Sequence, residues 1–310
     1  MRSAATVLLL LCASPALAAD DDGDGWQAES TGGYDCDDGD ASVLPWHCDD
    51  GDLVIDGVSM TLAGNLTRSQ VWIVNGGRLR IRPASTAGGG GFLRLVADAV
   101  YVDASSMIDG TGSGYRGGVG GNSGAGPGGG GTASVAGGAT LGGGGGHGGV
   151  GERGRSACHM YGGRGGFSYG SESDRRLHLG SGGGGGLFAA GGPGGGALAI
   201  VADQVWIDGT LSVRGALGPL HDSSDIGGSG AGGEILLEVG ALVCSGSILA
   251  EGGDSNGTGA YFANGGAGGG GRIQVWATEL DMGACTVSAA AGASACLYSL
   301  PGDGTVWYAH

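Results

Sequence analysis

The feature that most restricts the fold of this chain is its glycine content. Of 310 residues, 78 are Gly, and many stand in runs such as 142–146 and 182–186. Glycine brings no side chain to a core and loses the most backbone entropy on folding. A tightly packed α/β globule is therefore not expected, and collagen is excluded because the glycines have no strict three-residue period. Recurrent Val, Ile and Leu segments distinguish the chain from a disordered one.

The charge balance excludes one large class of partner. The sequence contains no Lys, its 14 basic residues are all Arg, and the formal net charge is −16. Affinity for nucleic acid comes mainly from basic side chains that neutralise phosphates. We therefore expect no nucleic-acid partner.

The first 19 residues have the pattern of a secretory signal peptide. Arg2 supplies a positive charge, an apolar stretch includes the leucines at 8–11, and Ala16-Leu17-Ala18 is typical of a cleavage site. The stretch is too short to serve as a transmembrane anchor. We predict that residues 1–19 are a signal peptide and that the mature protein is secreted or displayed on the cell surface.

Six cysteines follow the predicted leader, at positions 36, 48, 158, 244, 285 and 296. An even number in an oxidising compartment favours disulfides, although connectivity cannot be read from sequence. The simplest local pairings are Cys36–Cys48 and Cys285–Cys296. A zinc site with four cysteine ligands is the competing interpretation, but it lacks the usual C-x2-C pair.

Residues 20–52 form an acidic segment with twelve Asp or Glu residues and no Arg. Alternating carboxylates followed by Gly25 give the pattern D-x-D-x-D-G, which is typical of calcium loops, and a backbone carbonyl usually follows. A second cluster of aspartates follows between positions 35 and 40. The predicted calcium ligands are Asp20, Asp22, Asp24, Trp26, Asp35, Asp37, Asp38 and Asp40. The alternative is a solvated acidic tail.

The combination DxDGDG, a spacer and DCDDGDAS-x-x-P resembles the MopE-type metal-binding motif of secreted bacterial proteins. It is also similar to the aspartate-rich calcium repeats of thrombospondin. The resemblance covers about thirty residues and is most specific over 22–45. It implies Ca²⁺ binding by this segment. The chain departs from the family after Pro45, where the usual Gly-Ala-x-Glu stretch is missing.

An internal repeat predicts the fold of the remainder. Similar segments begin at Gly196, Gly233 and Gly271, and earlier copies begin at Gly91 and, in part, at Val71. Each copy contains short β-branched strands with Gly or Asp at the corners. Three strands in a repeat of about 37 residues fit one coil of a parallel β-helix, whose core forms by stacking. The sequence therefore predicts an all-β, parallel β-helix (β-solenoid) over 53–310.

A glycine-rich insert interrupts this repeat over residues 110–196, where 40 of 87 residues are Gly. Two interpretations remain open. The tracts are either flexible linkers or bundled polyglycine-II helices. The second arrangement resembles the glycine-rich domains of some receptor ectodomains and phage adhesins.

No residue set points to catalysis. Asp98 and Asp203 occupy equivalent repeat positions, as do Asp103 and Asp208, which favours a role in turns. The six histidines have no spacing typical of metal ligands. We predict a calcium-binding structural or adhesion protein without catalytic residues, whose partners are extracellular polysaccharide or other surface proteins. The alternative is a β-helix enzyme, a lyase or glycoside hydrolase, that acts on polysaccharide.

Overall fold

The computed structural model describes residues 51–85, 89–135, 138–156, 160–222, 224–257, 263–295 and 300–309. These residues belong to one compact unit and contain strands but no helix. Accordingly, no membrane-spanning helix is found among them. The strands are β1 (Leu53–Asp56), β2 (Ser59–Leu62), β3 (Gly64–Thr67), β4 (Gln70–Val74), β5 (Arg78–Ile81), β6 (Phe92–Val102), β7 (Met107–Asp109), β8 (Thr132–Ser134), β9 (Thr140–Gly142), β10 (Arg155–Ser156), β11 (Met160–Tyr161), β12 (Ala197–Ile207), β13 (Thr210–Ser212), β14 (Leu220–Asp222), β15 (Asp225–Ile226), β16 (Glu234–Cys244), β17 (Ser247–Leu249), β18 (Ala263–Asn264), β19 (Arg272–Asp281), β20 (Thr286–Ser288) and β21 (Thr305–Ala309).

Two parallel sheets hold most of the strand residues. The larger sheet has eight strands in the order β1-β4-β6-β12-β16-β19-β21, with β3 also paired to β6. The smaller has six strands in the order β2-β5-β7-β13-β17-β20. The sequence repeats pair in register, because Ala197 lies beside Glu234 and Glu234 beside Arg272. Phe92 also lies beside Ala197, so the chain leaves the sheet for the insert and returns to the neighbouring position.

The hydrophobic core lies between these two sheets. Leu198 and Ile200 of β12 point inward and are fully buried, and Leu211 of β13 meets them from the smaller sheet. Equivalent positions in the other repeats carry Leu, Ile or Val, so the core continues along the whole stack. Burying each such side chain contributes about 1.5–3 kcal/mol. This core accounts for the apolar alternation in the repeats.

The glycine-rich segments form a layer held together by backbone hydrogen bonds. The N–H groups of residues 182–186 donate in turn to the carbonyls of Ala125, Gly192, Gly143, Asn122 and Ala189. The first and fourth acceptors lie on one neighbouring segment, and the second and fifth on another. A period of three fits an extended backbone with three residues per turn, such as polyproline II. Each segment is therefore bonded to several neighbours at once.

The predicted β-solenoid is wrong, although the all-β class is confirmed. The prediction placed two strands and a corner where the structure has one continuous strand, β12. Each full repeat therefore supplies one strand to the larger sheet and one to the smaller sheet, instead of three strands. The buried alternation changes phase at Asp203, from Ile200 to Val205, but pairing with β16 continues to Ile207. The remaining two sheets, β11-β10-β18 and β14-β15-β9-β8, contain antiparallel pairs, which a parallel solenoid lacks.

Candidate functional site

The predicted calcium ligands all lie outside the described residues. This applies to Asp20, Asp22, Asp24, Trp26, Asp35, Asp37, Asp38 and Asp40, and also to the disulfide candidates Cys36, Cys48 and Cys296. The calcium site therefore stays a prediction. Among the described residues, candidate sites lie on the larger sheet and between that sheet and the insert.

One disulfide is present among the described residues, and it joins Cys244 to Cys285 with their Cα atoms 5.2 Å apart. Cys285 therefore does not pair with Cys296, the local pairing suggested by sequence. Cys244 ends β16, and Cys285 stands directly before β20. Parallel pairing of β17 with β20 brings these two corners together at a separation suited to a disulfide.

An open cleft of about 630 Å³ lies on the outer face of the eight-stranded sheet. It crosses β6, β12, β16 and β19 and reaches Ala309 of β21. Because neighbouring strands are about 4.8 Å apart, the cleft extends over roughly 19 Å. Its floor is a row of outward side chains in register: Val96, Val201, Glu238 and Trp276. Its polar side chains include Asp98, Asp203, Glu238, Thr278 and Arg175.

Arg175 of the insert reaches over this cleft. Its guanidinium carbon lies 3.6 Å from the centroid of a ring of Trp276, and its Nη1 is 3.5 Å from Oε1 of Glu238. The Trp276 ring also packs against Trp307 at 4.2 Å. Arg175 has a φ of 51°, a left-handed conformation that costs a non-glycine residue about 1–2 kcal/mol. Such strain is more common at functional sites than elsewhere.

The equivalent aspartates of the repeats have two different roles. Asp103 accepts hydrogen bonds from the backbone and hydroxyl of Ser105, and Asp208 accepts one from the hydroxyl of Ser245. The contacts with Ser105 are those of a turn residue, whereas the contact with Ser245 joins the corners of two neighbouring repeats. Asp98 and Asp203 instead line the cleft, at the position where the burial alternation of their strands changes phase.

A second candidate site is a buried cluster between the insert and the sheet. His147 and His178 come from the insert, and Glu234 is the first residue of β16. The side chains of His147 and Glu234 are fully buried, and that of His178 is one quarter exposed. Oε2 of Glu234 lies 2.9 Å from Nδ1 of His178 and 3.8 Å from Nε2 of His147. We call these three residues the His–Glu cluster.

Neighbouring polar groups complete this arrangement. The backbone N–H of His178 donates to Oε2 of Glu234 at 2.7 Å, and the amide of Gln274 donates to Oε1 at 2.6 Å. The guanidinium of Arg272 donates to the carbonyls of Tyr169 and Gly170, at 2.8 and 3.2 Å. The sheet therefore holds the insert through Glu234, which accepts a hydrogen bond from it, and through Arg272, which donates to it.

Burial controls the protonation of the cluster. It lowers the pKa of His147 to about 3, and the positive charge of Arg272 adds to this effect. Burial also raises the pKa of Glu234, although hydrogen bonds from His178 and Gln274 oppose the rise. His147 is consequently neutral at physiological pH.

The cluster could hold a metal ion. One ligand atom from each of the three residues lies within 4.8 Å of the others. Sequence reasoning missed it because the residues are far apart in the chain: Glu234 follows His178 by 56 positions. The available signals were His147, an isolated large polar residue in a glycine run, and Glu234, a charged residue where another repeat has Ala197.

Comparison with protein-family models, with curated proteins and with solved structures finds no match to this chain.

Proposed function

We propose that the chain is an exported, calcium-binding structural or adhesion protein that contacts extracellular polysaccharide through the cleft on the larger sheet. The observation that carries this proposal is the cleft itself. It is open, about 630 Å³ in volume and lined by groups of both hydrogen-bonding types. Sugar hydroxyls both donate and accept hydrogen bonds, so they require such a mixed lining.

The groups in the cleft divide these tasks. Asp98, Asp203 and Glu238 supply acceptors, while Arg175 supplies donors that its single ion pair with Glu238 does not exhaust. The apolar floor of Val96 and Val201 suits the carbon face of a sugar ring. A cleft that runs across parallel strands also suits an extended polymer better than a compact small molecule.

Export and calcium binding rest on the sequence and on one structural feature. The signal peptide at 1–19 directs the chain to an oxidising compartment, where the Cys244–Cys285 disulfide is stable. The aspartates between positions 20 and 40 are oxygen ligands of the kind that Ca²⁺ prefers. We assign to this segment a structural, calcium-dependent role.

The second candidate function is a polysaccharide-cleaving enzyme, which is favoured by one observation. Asp98 and Asp203 stand on neighbouring strands in the same cleft. Glycosidases use two carboxyl groups about 5–10 Å apart as acid and base or nucleophile. Both carboxyl groups are exposed on the open cleft and are not enclosed in a site that excludes water, so the binding function is preferred.

The deciding experiment measures binding and cleavage together. The secreted protein is incubated with a panel of soluble and insoluble polysaccharides, and both retention and release of reducing sugar are recorded. We expect retention without cleavage. The double variant Asp98→Asn/Asp203→Asn should lower the affinity for the polysaccharide about tenfold, which corresponds to about 1.4 kcal/mol of binding free energy. The matched control is Arg80→Gln, an exposed residue on the smaller sheet.

Three outcomes contradict the proposal. Reducing-sugar release that the double variant abolishes would establish the enzyme instead. Retention that the double variant leaves unchanged, or retention no greater than that of heat-denatured protein, would remove the cleft as a polysaccharide site.

A further inference from the structure

The tautomer of His147 can be deduced from its partners. Its Nδ1 lies 2.9 Å from the carbonyl oxygen of Gly232. A carbonyl oxygen only accepts hydrogen bonds, so Nδ1 carries the proton. In the neutral ring, Nε2 then carries a lone pair.

This lone pair faces a carboxylate. Nε2 of His147 is 3.8 Å from Oε2 of Glu234, and it is buried with no hydrogen-bond partner among the described residues. Two acceptors that face each other in a buried site repel, and a buried nitrogen without a hydrogen-bond partner carries an uncompensated desolvation penalty. A cation between the two atoms would remove both penalties.

The third ligand atom and the outer contacts have the form of a metal site. The third ligand atom, Nδ1 of His178, is 2.9 Å from the same oxygen, Oε2 of Glu234. Metal-binding histidines usually direct their other ring nitrogen to a carbonyl or carboxylate. Here Nδ1 of His147 meets Gly232 O, and Nε2 of His178 is 3.8 Å from Oδ2 of Asp174. The second oxygen of Glu234 is held by Gln274.

We propose that His147 Nε2, His178 Nδ1 and Glu234 Oε2 bind a Zn²⁺ ion, which fastens the glycine-rich insert to the larger sheet. Two imidazoles and one carboxylate are a common zinc ligand set, and a water completes the fourth position. Ca²⁺ does not suit the site, because it takes six to eight oxygen ligands. This site is independent of the proposed polysaccharide and calcium binding.

Binding requires one proton to move. The hydrogen bond from His178 Nδ1 to Glu234 is replaced by a bond from Nδ1 to the metal, so the ring proton shifts to Nε2. The carboxylate of Asp174 lies 3.8 Å from Nε2, so its negative charge stabilises the proton in this position. A cationic His178 would instead release one proton to solvent. His147 needs no such change, since its Nε2 already carries a lone pair.

The test uses the full mature protein, freed of metal with a chelator and kept in excess Ca²⁺ so that the aspartate segment is occupied. Zn²⁺ affinity is measured by competition with a chromophoric chelator, and Co²⁺ serves as a spectroscopic probe of nitrogen ligands. We expect one tight Zn²⁺ per chain and a visible Co²⁺ absorption band. His178→Gln should abolish both, while replacement of an exposed histidine outside the cluster, His221→Gln, should leave both unchanged.

A gentler variant protects the test against misfolding. Asp174→Asn keeps the oxygen that accepts the Arg176 N–H but removes the charge near His178. It should weaken Zn²⁺ binding about 10–100-fold, as loss of an outer carboxylate typically does. Glu172→Gln, an exposed acid two residues away, is its matched control. Absence of the Co²⁺ band, or Zn²⁺ binding that neither His178→Gln nor Asp174→Asn alters, would overturn the proposal.

Discussion

Gly183, in the glycine-rich layer, offers the most direct test of the close backbone packing. A Cβ atom on Gly183 would lie 2.1 Å from the carbonyl oxygen of Gly228 and 2.4 Å from its carbonyl carbon. Both atoms belong to backbone, so no side chain can move aside. Gly183 also donates to Gly192 and accepts from Gly118, each at 2.9 Å. The substitution Gly183→Ala must therefore push two backbone segments apart.

The size of the effect follows from three contributions. Overpacking of a tight interior costs about 1–3 kcal/mol. Two strained backbone hydrogen bonds cost about 1 kcal/mol each if they are lost. The alanine restricts the unfolded chain and returns about 0.4–1 kcal/mol. We expect Gly183→Ala to lower the free energy of unfolding by about 2–4 kcal/mol.

Chemical denaturation measures this loss, and Gly283→Ala is the matched control. A Cβ on Gly283 meets only a side-chain oxygen, at 3.5 Å. That variant should be neutral or more stable by up to about 1 kcal/mol. If Gly183→Ala is as stable as the control, the glycines do not pack at these distances, and the reasoning about the layer is refuted.

Two further predictions concern residues outside the candidate sites. Replacing Cys244 and Cys285 by alanine opens a link across 41 positions and should destabilise the fold by about 4 kcal/mol in urea denaturation; an unchanged midpoint would contradict this disulfide. Burial raises the pKa of Glu152 above 4.5, so its contribution to stability is lost as the pH rises through the folded-state pKa. Glu152→Gln should therefore flatten the fall in stability above pH 4.5, as measured by unfolding across a pH series, and an unaltered pH profile would count against it.

The sequence was informative wherever side chains repeat. The alternation of Leu198 and Ile200, and its recurrence after Gly233 and Gly271, predicted parallel pairing of these segments, and they do lie side by side. The predicted number of strands in each repeat was wrong. A polar residue such as Asp203 fits the sequence pattern equally well whether the strand ends there or continues, so the pattern alone could not decide how many strands a repeat contains.

The arrangement of the glycines could not be predicted for a physical reason. Glycine carries no side chain, so a run such as 182–186 contains no pattern that selects a neighbour. Its acceptors lie on segments as far from each other in sequence as those of Asn122 and Gly192, and the assembled structure determines which of them it meets. The His–Glu cluster was hidden for the same reason, because the layer determines which distant residues meet.

This degeneracy explains why buried charged residues surround the layer. A glycine segment that slides by three residues recovers equivalent hydrogen bonds, so backbone contacts alone do not fix its register. Single side chains that bond to one particular position can fix this register. Both carboxylate oxygens of Asp225 accept from the backbone N–H groups of Leu187, Phe188 and Ala189. One carboxylate oxygen of Glu234 likewise accepts from the backbone N–H of His178. Buried ionic groups add little net stability, and we infer that in this protein they specify the register of the glycine segments. The His–Glu cluster then aligns the insert with the larger sheet at the start of β16.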